Sequence, residues 1–156
     1  MISNLTMIEG VKTVALNEFA DERGAVLHML RNDDLDFIQF GECYFSEVLP
    51  GAIKAWKLNH NKTQNIAVPV GRIRMVIYDE RAESRTKGNL DILELGRPDV
   101  YLRVQIPQGL WYGFSCIGNT PALLVNCADL PHNPTESERK SVFDPSIPYD
   151  WQIQNK

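Results

Sequence analysis

The side chains best suited to chemistry crowd into one stretch, PGAIKAWKLNHNKTQNIAVPVG, residues 50–71. It carries Lys54, Lys57, Asn59, His60 and Gln64 between apolar residues. A lysine held in a cavity has two uses. If burial lowers its pKa it is a base; if it stays charged it holds a developing oxyanion. Elsewhere the chain has no glycine-rich phosphate loop, no Ser-His-Asp pattern and no nucleophile elbow. Cys43, Cys116 and Cys127 are scattered, fit no CxxC spacing and read as buried structural thiols.

Strands must position these groups. Residues 53–59 alternate, with Ile53, Ala55, Lys57 and Asn59 on one face and Lys54, Trp56 and Leu58 on the other. The turn 60–64 is too polar for a core, and 66–70 is apolar again. Pro50-Gly51 and Pro69 with Gly71 punctuate the unit. This is the layout of a β-barrel mouth, with polar side chains from successive strands pointing into one cavity. Glycine and proline cut the remainder into strand lengths at 25–30, 43–48, 72–78, 90–95, 100–106, 110–116 and 122–128. Residues 32–37 read as an acidic loop or one helical turn, and HNPTESERKS as a short helix. About nine short strands predict a sandwich or small barrel.

At 156 residues, with 44% hydrophobic and 23% charged, the chain has the length and balance of one globular domain with one core. A net charge of −4 argues against nucleic acid or a membrane surface as the partner, leaving room for a local basic patch that takes a phosphorylated ligand. No apolar run is long enough to span a bilayer, and MISNLTMIEG lacks the basic start and apolar stretch of a signal peptide. The expectation is a cytoplasmic protein.

Ordered pieces along the chain resemble the cupin family of dTDP-4-dehydrorhamnose 3,5-epimerases, and are similar to its sugar 3,4-ketoisomerase cousins. They are Asp21-Glu22-Arg23-Gly24, then Pro50-Gly51-x-Ile53-Lys54-Ala55-Trp56, and Gly71 followed by Tyr78-Asp79-Glu80-Arg81. After these come Ile106-Pro107-x-Gly109-x-Trp111-x-Gly113-Phe114, Asp144-Pro145 and Ile147-Pro148-Tyr149-Asp150-Trp151. The resemblance implies an all-β double-stranded β-helix, the cupin jelly-roll, with little helix. It implies a single domain over 1–156 with its core at about 12–152. The implied activity is epimerisation or isomerisation of a nucleotide-linked sugar of the dTDP-4-keto-6-deoxyhexose kind, in deoxysugar or surface-polysaccharide biosynthesis. It also implies a homodimer made by exchanging N-terminal strands, for which residues 7–14 are apolar enough.

Carried over position by position, the resemblance exposes departures. In the family a histidine on the central strand takes the proton beside a keto group; this chain has Lys57. Where the pattern G-x-x-H-G-F has its histidine stands Tyr112, which donates to an oxyanion or merely fills the pocket. The family's proton-donating tyrosine falls near Leu130 and Pro131, neither of which transfers a proton. Asp144 matches the carboxylate that orients the histidine, so a Lys57–Asp144 pair that keeps the lysine charged is expected unless burial outweighs it. The implied catalytic set is Lys57, Tyr112 and Asp144. Arg23 and Lys54 match positions at the diphosphate, Glu42 and Tyr44 at base and sugar, and Asn59 and Gln64 near the sugar. Arg23 has an alternative as a structural partner of Asp21 or Asp79. Metal binding in cupins uses His-x-His plus a carboxylate and a later histidine; Lys57-x-Asn59 and Tyr112 predict none, and no cofactor. The competing reading is a non-catalytic cupin that binds a sugar nucleotide or a protein partner after losing the acid and base.

Overall fold

The computed structural model describes residues 6–154. In chain order the strands are β1 (Lys12–Ala15), β2 (Glu18–Asp21), β3 (Gly24–Leu27), β4 (Glu42–Val48), β5 (Ile53–Asn59) and β6 (Gln64–Val70). They continue as β7 (Ile73–Tyr78), β8 (Leu90–Leu95), β9 (Leu102–Ile106), β10 (Trp111–Cys116), β11 (Ala122–Ala128) and β12 (Ser137–Arg139). A 3-10 turn at Pro134–Glu136 and one helical turn, α1 (Trp151–Gln154), complete the chain.

Two five-stranded antiparallel sheets result, in the orders β1-β9-β6-β11-β4 and β12-β5-β10-β7-β8, with β2-β3 as a separate hairpin. Period-two alternation explains how they pack. Ile73, Met75 and Ile77 of β7 bury one face against Ile66 and Val68 of β6, Val104 and Ile106 of β9 and Leu124 of β11. Each such side chain contributes about 1.5–3 kcal/mol when removed from water. The architecture is the expected jelly-roll, a double-stranded β-helix. The expectation of a single domain over 1–156 takes in residues at both ends that lie outside the described ones.

The outer face of the second sheet is covered too. Trp56, Leu58, Val76 and Trp111 pack against Ile147 and Trp151 of the C-terminal segment. The rings of Trp56 and Trp151 lie 5.3 Å apart, and Tyr149 meets Trp56 edge-on at 6.3 Å. The run of turns before α1 is therefore a strap held down by aromatic contacts.

Local pattern misreads three places. The turn after β5 is not solvated: Lys62, Thr63 and Gln64 are buried. Its N–H groups are satisfied from far along the chain. The Glu136 carboxylate accepts from Asn61 at 2.7 Å and Lys62 at 3.0 Å, and Asp129 accepts from Thr63 at 2.8 Å. The segment read as a short helix is instead the 3-10 turn and strand β12. Of the three cysteines only Cys116 is buried; Cys43 and Cys127 are cross-strand partners on β4 and β11 with their sulfurs 3.3 Å apart. The candidate exchange strand forms β1 in part, paired antiparallel with β9 of its own sheet.

Candidate active site

The site starts from one rung of the second sheet. Lys57 on β5 stands directly opposite Tyr112 on β10, and Arg139 on β12 stands directly opposite Lys57 from the other side. Residues directly opposite share a face, so all three side chains leave the sheet together. One step along, the register shifts: Phe114 pairs with Lys54, so β5 spends an extra residue between the two pairs. This bulge reverses the parity of the strand. Lys54, which alternation places on the far face from Lys57, lines the same cavity. Gly113 makes the bulge possible, since a Cβ there would lie 2.4 Å from Ala55 Cβ and 3.0 Å from Ala55 Cα.

The cavity measures about 290 Å³. Lys54, Lys57, Tyr112, Tyr44, Asn126 and Arg139 supply its polar wall, and Ile66, Leu124 and Phe114 its apolar one. Asn126 Nδ2 donates to the Tyr44 hydroxyl at 2.9 Å and also to Gln64 Oε1. Burial, helped by Tyr44, pushes the Tyr112 phenol up to about 12 against the pull of Gln64 and Asn59 beside it. At neutral pH Tyr112 therefore carries its proton and donates. The amide of Asn59 is buried with neither Nδ2 nor Oδ1 in a standard hydrogen bond to a described residue, and the same holds for Gln64 Nε2. Buried amides left this way have hydrogen-bonding capacity for a ligand.

Lys57 is half-buried and has no hydrogen bond or ion pair with any described residue. Burial lowers its pKa, and the neighbouring charges of Lys62 and Arg139 lower it further; Glu136 and Glu42 oppose them and lose. Lys62 in turn is held by Glu42 at 3.1 Å. Burial raises the pKa of that carboxyl, but Lys62 and the His132 N–H, at 3.0 Å, outweigh it and hold Glu42 below the usual range.

Asp144 is not the partner of Lys57. Its Oδ1 accepts from Ser146 N at 2.9 Å and Ser146 Oγ at 2.6 Å, which lowers its pKa. It lines a groove with Ile147, Tyr149 and Trp151, not the cavity. The cause is topological. Lys140, just before this segment, exchanges backbone hydrogen bonds with Trp56, and the segment lies on the Trp56–Leu58 face of β5, opposite the face that bears Lys57. Arg23 is also absent from the cavity lining. It sits on the exposed β2-β3 hairpin, paired with Asp21 at 2.6 Å. Asp79 serves a different group: fully buried, it is held far below the usual carboxylate range by Arg81, Ser84 and Thr86, although burial opposes this.

Three contributors escape a reading from local pattern. Arg139 falls in the segment read as helix, Lys62 in the turn read as solvated, and Asn126 in the most apolar strand, where alternation alone offered a signal. His60 points outward to Glu138, 3.0 Å away. Among the described residues no three His, Cys, Asp or Glu side chains cluster closely enough to hold a metal ion.

Comparison with known proteins adds to this geometry. The family model for dTDP-4-dehydrorhamnose 3,5-epimerase matches residues 5–156. The spore coat polysaccharide biosynthesis protein SpsL of Bacillus subtilis is 30% identical over 150 residues, covering 95% of this chain and 99% of SpsL. The crystal structure of a dTDP sugar isomerase from Desulfovibrio desulfuricans superposes with a TM-score of 0.91 at 51% identity, over 93% of this chain and 92% of that one. A Legionella pneumophila 3,5-epimerase, solved with dTDP-4-keto-L-rhamnose, shares the fold at a TM-score of 0.82 and 21% identity, over 94% of this chain and 80% of that one.

Proposed function

This chain belongs to the dTDP-4-dehydrorhamnose 3,5-epimerase family, and on that premise we propose that it is an epimerase-type isomerase of a dTDP-4-keto-6-deoxyhexose or a close analogue. Its place is in deoxysugar or surface-polysaccharide biosynthesis, in line with the name of its spore-coat relative. The observation that carries the reading is the Arg139–Lys57–Tyr112 rung in one cavity, with the central amine free of any partner among the described residues.

A carbon beside the C4 ketone loses a proton once a neutral amine stands against it and the oxygen's developing charge is met by donors. Lys57, with its lowered pKa, is the group that starts this proton transfer. Tyr112, protonated at neutral pH, and Arg139 are the donors for the oxygen. Tyr44, Asn59, Gln64 and Asn126 orient the sugar. Lys54 reaches the diphosphate, and Glu42 holds Lys62 beside the site.

We also read the molecule as a single-domain cytoplasmic homodimer that needs no metal or cofactor. The resemblance puts Arg23 at a diphosphate, while the fold puts it on an exposed hairpin away from its own cavity, with Phe19 and Val26 exposed beside it. Both hold if the hairpin reaches across to the cavity of a second copy.

Deuterium wash-in from D2O into dTDP-4-keto-6-deoxyglucose, read by NMR at C3 and C5, tests the activity. Exchange that disappears in Lys57→Met supports it. Binding of the sugar nucleotide without exchange would instead favour a non-catalytic binder, the reading suggested by Leu130 and Pro131 in place of the family's tyrosine.

A further inference from the structure

A neutral amine beside a ketone has an option besides taking a proton: it adds to the carbonyl carbon. We infer that Lys57 does so, forming an imine with the C4 ketone of the sugar, and that this cavity is a Schiff-base site. The inference rests on the keto-sugar reading above and changes only how Lys57 begins the proton transfer.

The geometry separates Lys57 from the other lysines around the cavity. Lys54 Nζ donates to Ser46 Oγ at 2.9 Å and to the Glu47 carbonyl at 2.6 Å, and Lys62 Nζ is paired with Glu42. Each amine is engaged with an acceptor. Lys57 alone of the three has no acceptor among the described residues, and it faces the cation Arg139 across the rung. A lysine desolvated in a pocket next to another cationic group is the arrangement that activates an amine toward carbonyls. The direction of its pKa shift, caused by burial and by Lys62 and Arg139, agrees. Lysine is also the residue that can form such a bond here; the family's histidine cannot form a lasting imine.

The step balances without a co-reactant. The Lys57 nitrogen lone pair forms the C4–N bond as the C=O π pair moves to oxygen; the oxygen takes a proton from Tyr112 or water, which is replaced by one lost from the nitrogen, giving a neutral carbinolamine. Loss of water, with a proton delivered to the departing oxygen by Tyr112 or the solvent, gives a protonated imine. Its positive nitrogen draws the C3–H or C5–H electron pair into an enamine, and the proton passes to water. Protonation from the other side and addition of water return the free amine and the epimerised ketone.

Incubating the intact protein with dTDP-4-keto-6-deoxyglucose and sodium cyanoborohydride, which reduces iminium in preference to ketone, tests this. The expected result is a mass gain of one sugar nucleotide less one oxygen, mapped by peptide fragmentation to Lys57 and suppressed by excess dTDP. Loss of the adduct in both Lys57→Met and Lys57→Arg is expected as well. Unmodified protein that binds the sugar nucleotide by calorimetry and still exchanges C3 or C5 deuterium would overturn the imine while leaving the isomerase reading in place. An adduct on Lys54 or Lys62 would overturn it too. Absence of both binding and exchange would overturn the isomerase reading itself, and the imine with it.

Discussion

Lys57 and Tyr112 are register partners across β5 and β10, and burial drives both ionisations toward the uncharged form. Burial lowers the lysine and raises the phenol to about 12. A lysine biased toward its neutral form thus faces a protonated phenol in one cavity, the pairing that proton transfer next to a ketone requires.

The first expectation concerns pH. The rate of C3/C5 deuterium exchange should rise with pH through the Lys57 pKa and level off below the ordinary lysine range, with Tyr112 still protonated. Arg139→Gln removes a neighbouring cation, so it should move that rise to higher pH. A rise centred on the ordinary lysine value in the parent protein would contradict the arrangement. The sign for stability follows. Between the lowered folded pKa and the ordinary lysine value of 10.5 the unfolded chain holds more protons at this group, so its contribution to stability increases as pH climbs through that window.

Substitution of the lysine separates its roles. With a neutral amine, Lys57→Met should abolish exchange and cost binding only about 1 kcal/mol, the net worth of an ordinary hydrogen bond. A binding loss of ~1.5–3 kcal/mol, as for a charged group, would show that Lys57 acts as an ammonium holding an oxygen or phosphate. Lys57→His should retain exchange yet form no cyanoborohydride adduct.

Gly113→Ala should disturb the bulge that brings Lys54 into the cavity, since its Cβ would meet Ala55 Cβ at 2.4 Å. Overpacking of this kind costs about 1–3 kcal/mol, measurable from the urea midpoint. Ala55→Gly in the same chain removes the opposing methyl and should recover part of the loss. Full additivity of the two substitutions would show that they do not share this contact.

For the homodimer, analytical ultracentrifugation at micromolar concentration should give twice the chain mass. Arg23→Ala should weaken sugar-nucleotide binding by on the order of tenfold, the size of one charged hydrogen bond, while leaving the urea midpoint unmoved, because its pair with Asp21 lies in solvent. A monomeric mass with unchanged affinity would remove both the dimer and Arg23 from the site.

Much of this was written locally. Strands 53–59, 90–95 and 122–128 begin and end where alternation and the flanking glycines and prolines place them. The same period of two puts Lys57 on the face opposite Trp56 and Leu58, as the structure has it. Period two is a property of a single extended strand, so a sequence carries it without help from distant residues. What lay beyond it depended on contacts between remote segments. Lys54 joins Lys57 because β5 bulges against Gly113 of β10, a register shift that only the paired strand reveals. Lys62 and Gln64 are buried because Glu136 and Asp129, more than sixty residues away, take the N–H groups of their turn. Arg139 reaches the rung, and Asp144 is kept from it, because the chain after β11 runs antiparallel beside β5 and then crosses to its Trp56 face. Alternation settled which way Lys57 points; the packing of strands distant in sequence decided which charges surround it, and with them whether its amine is free to react.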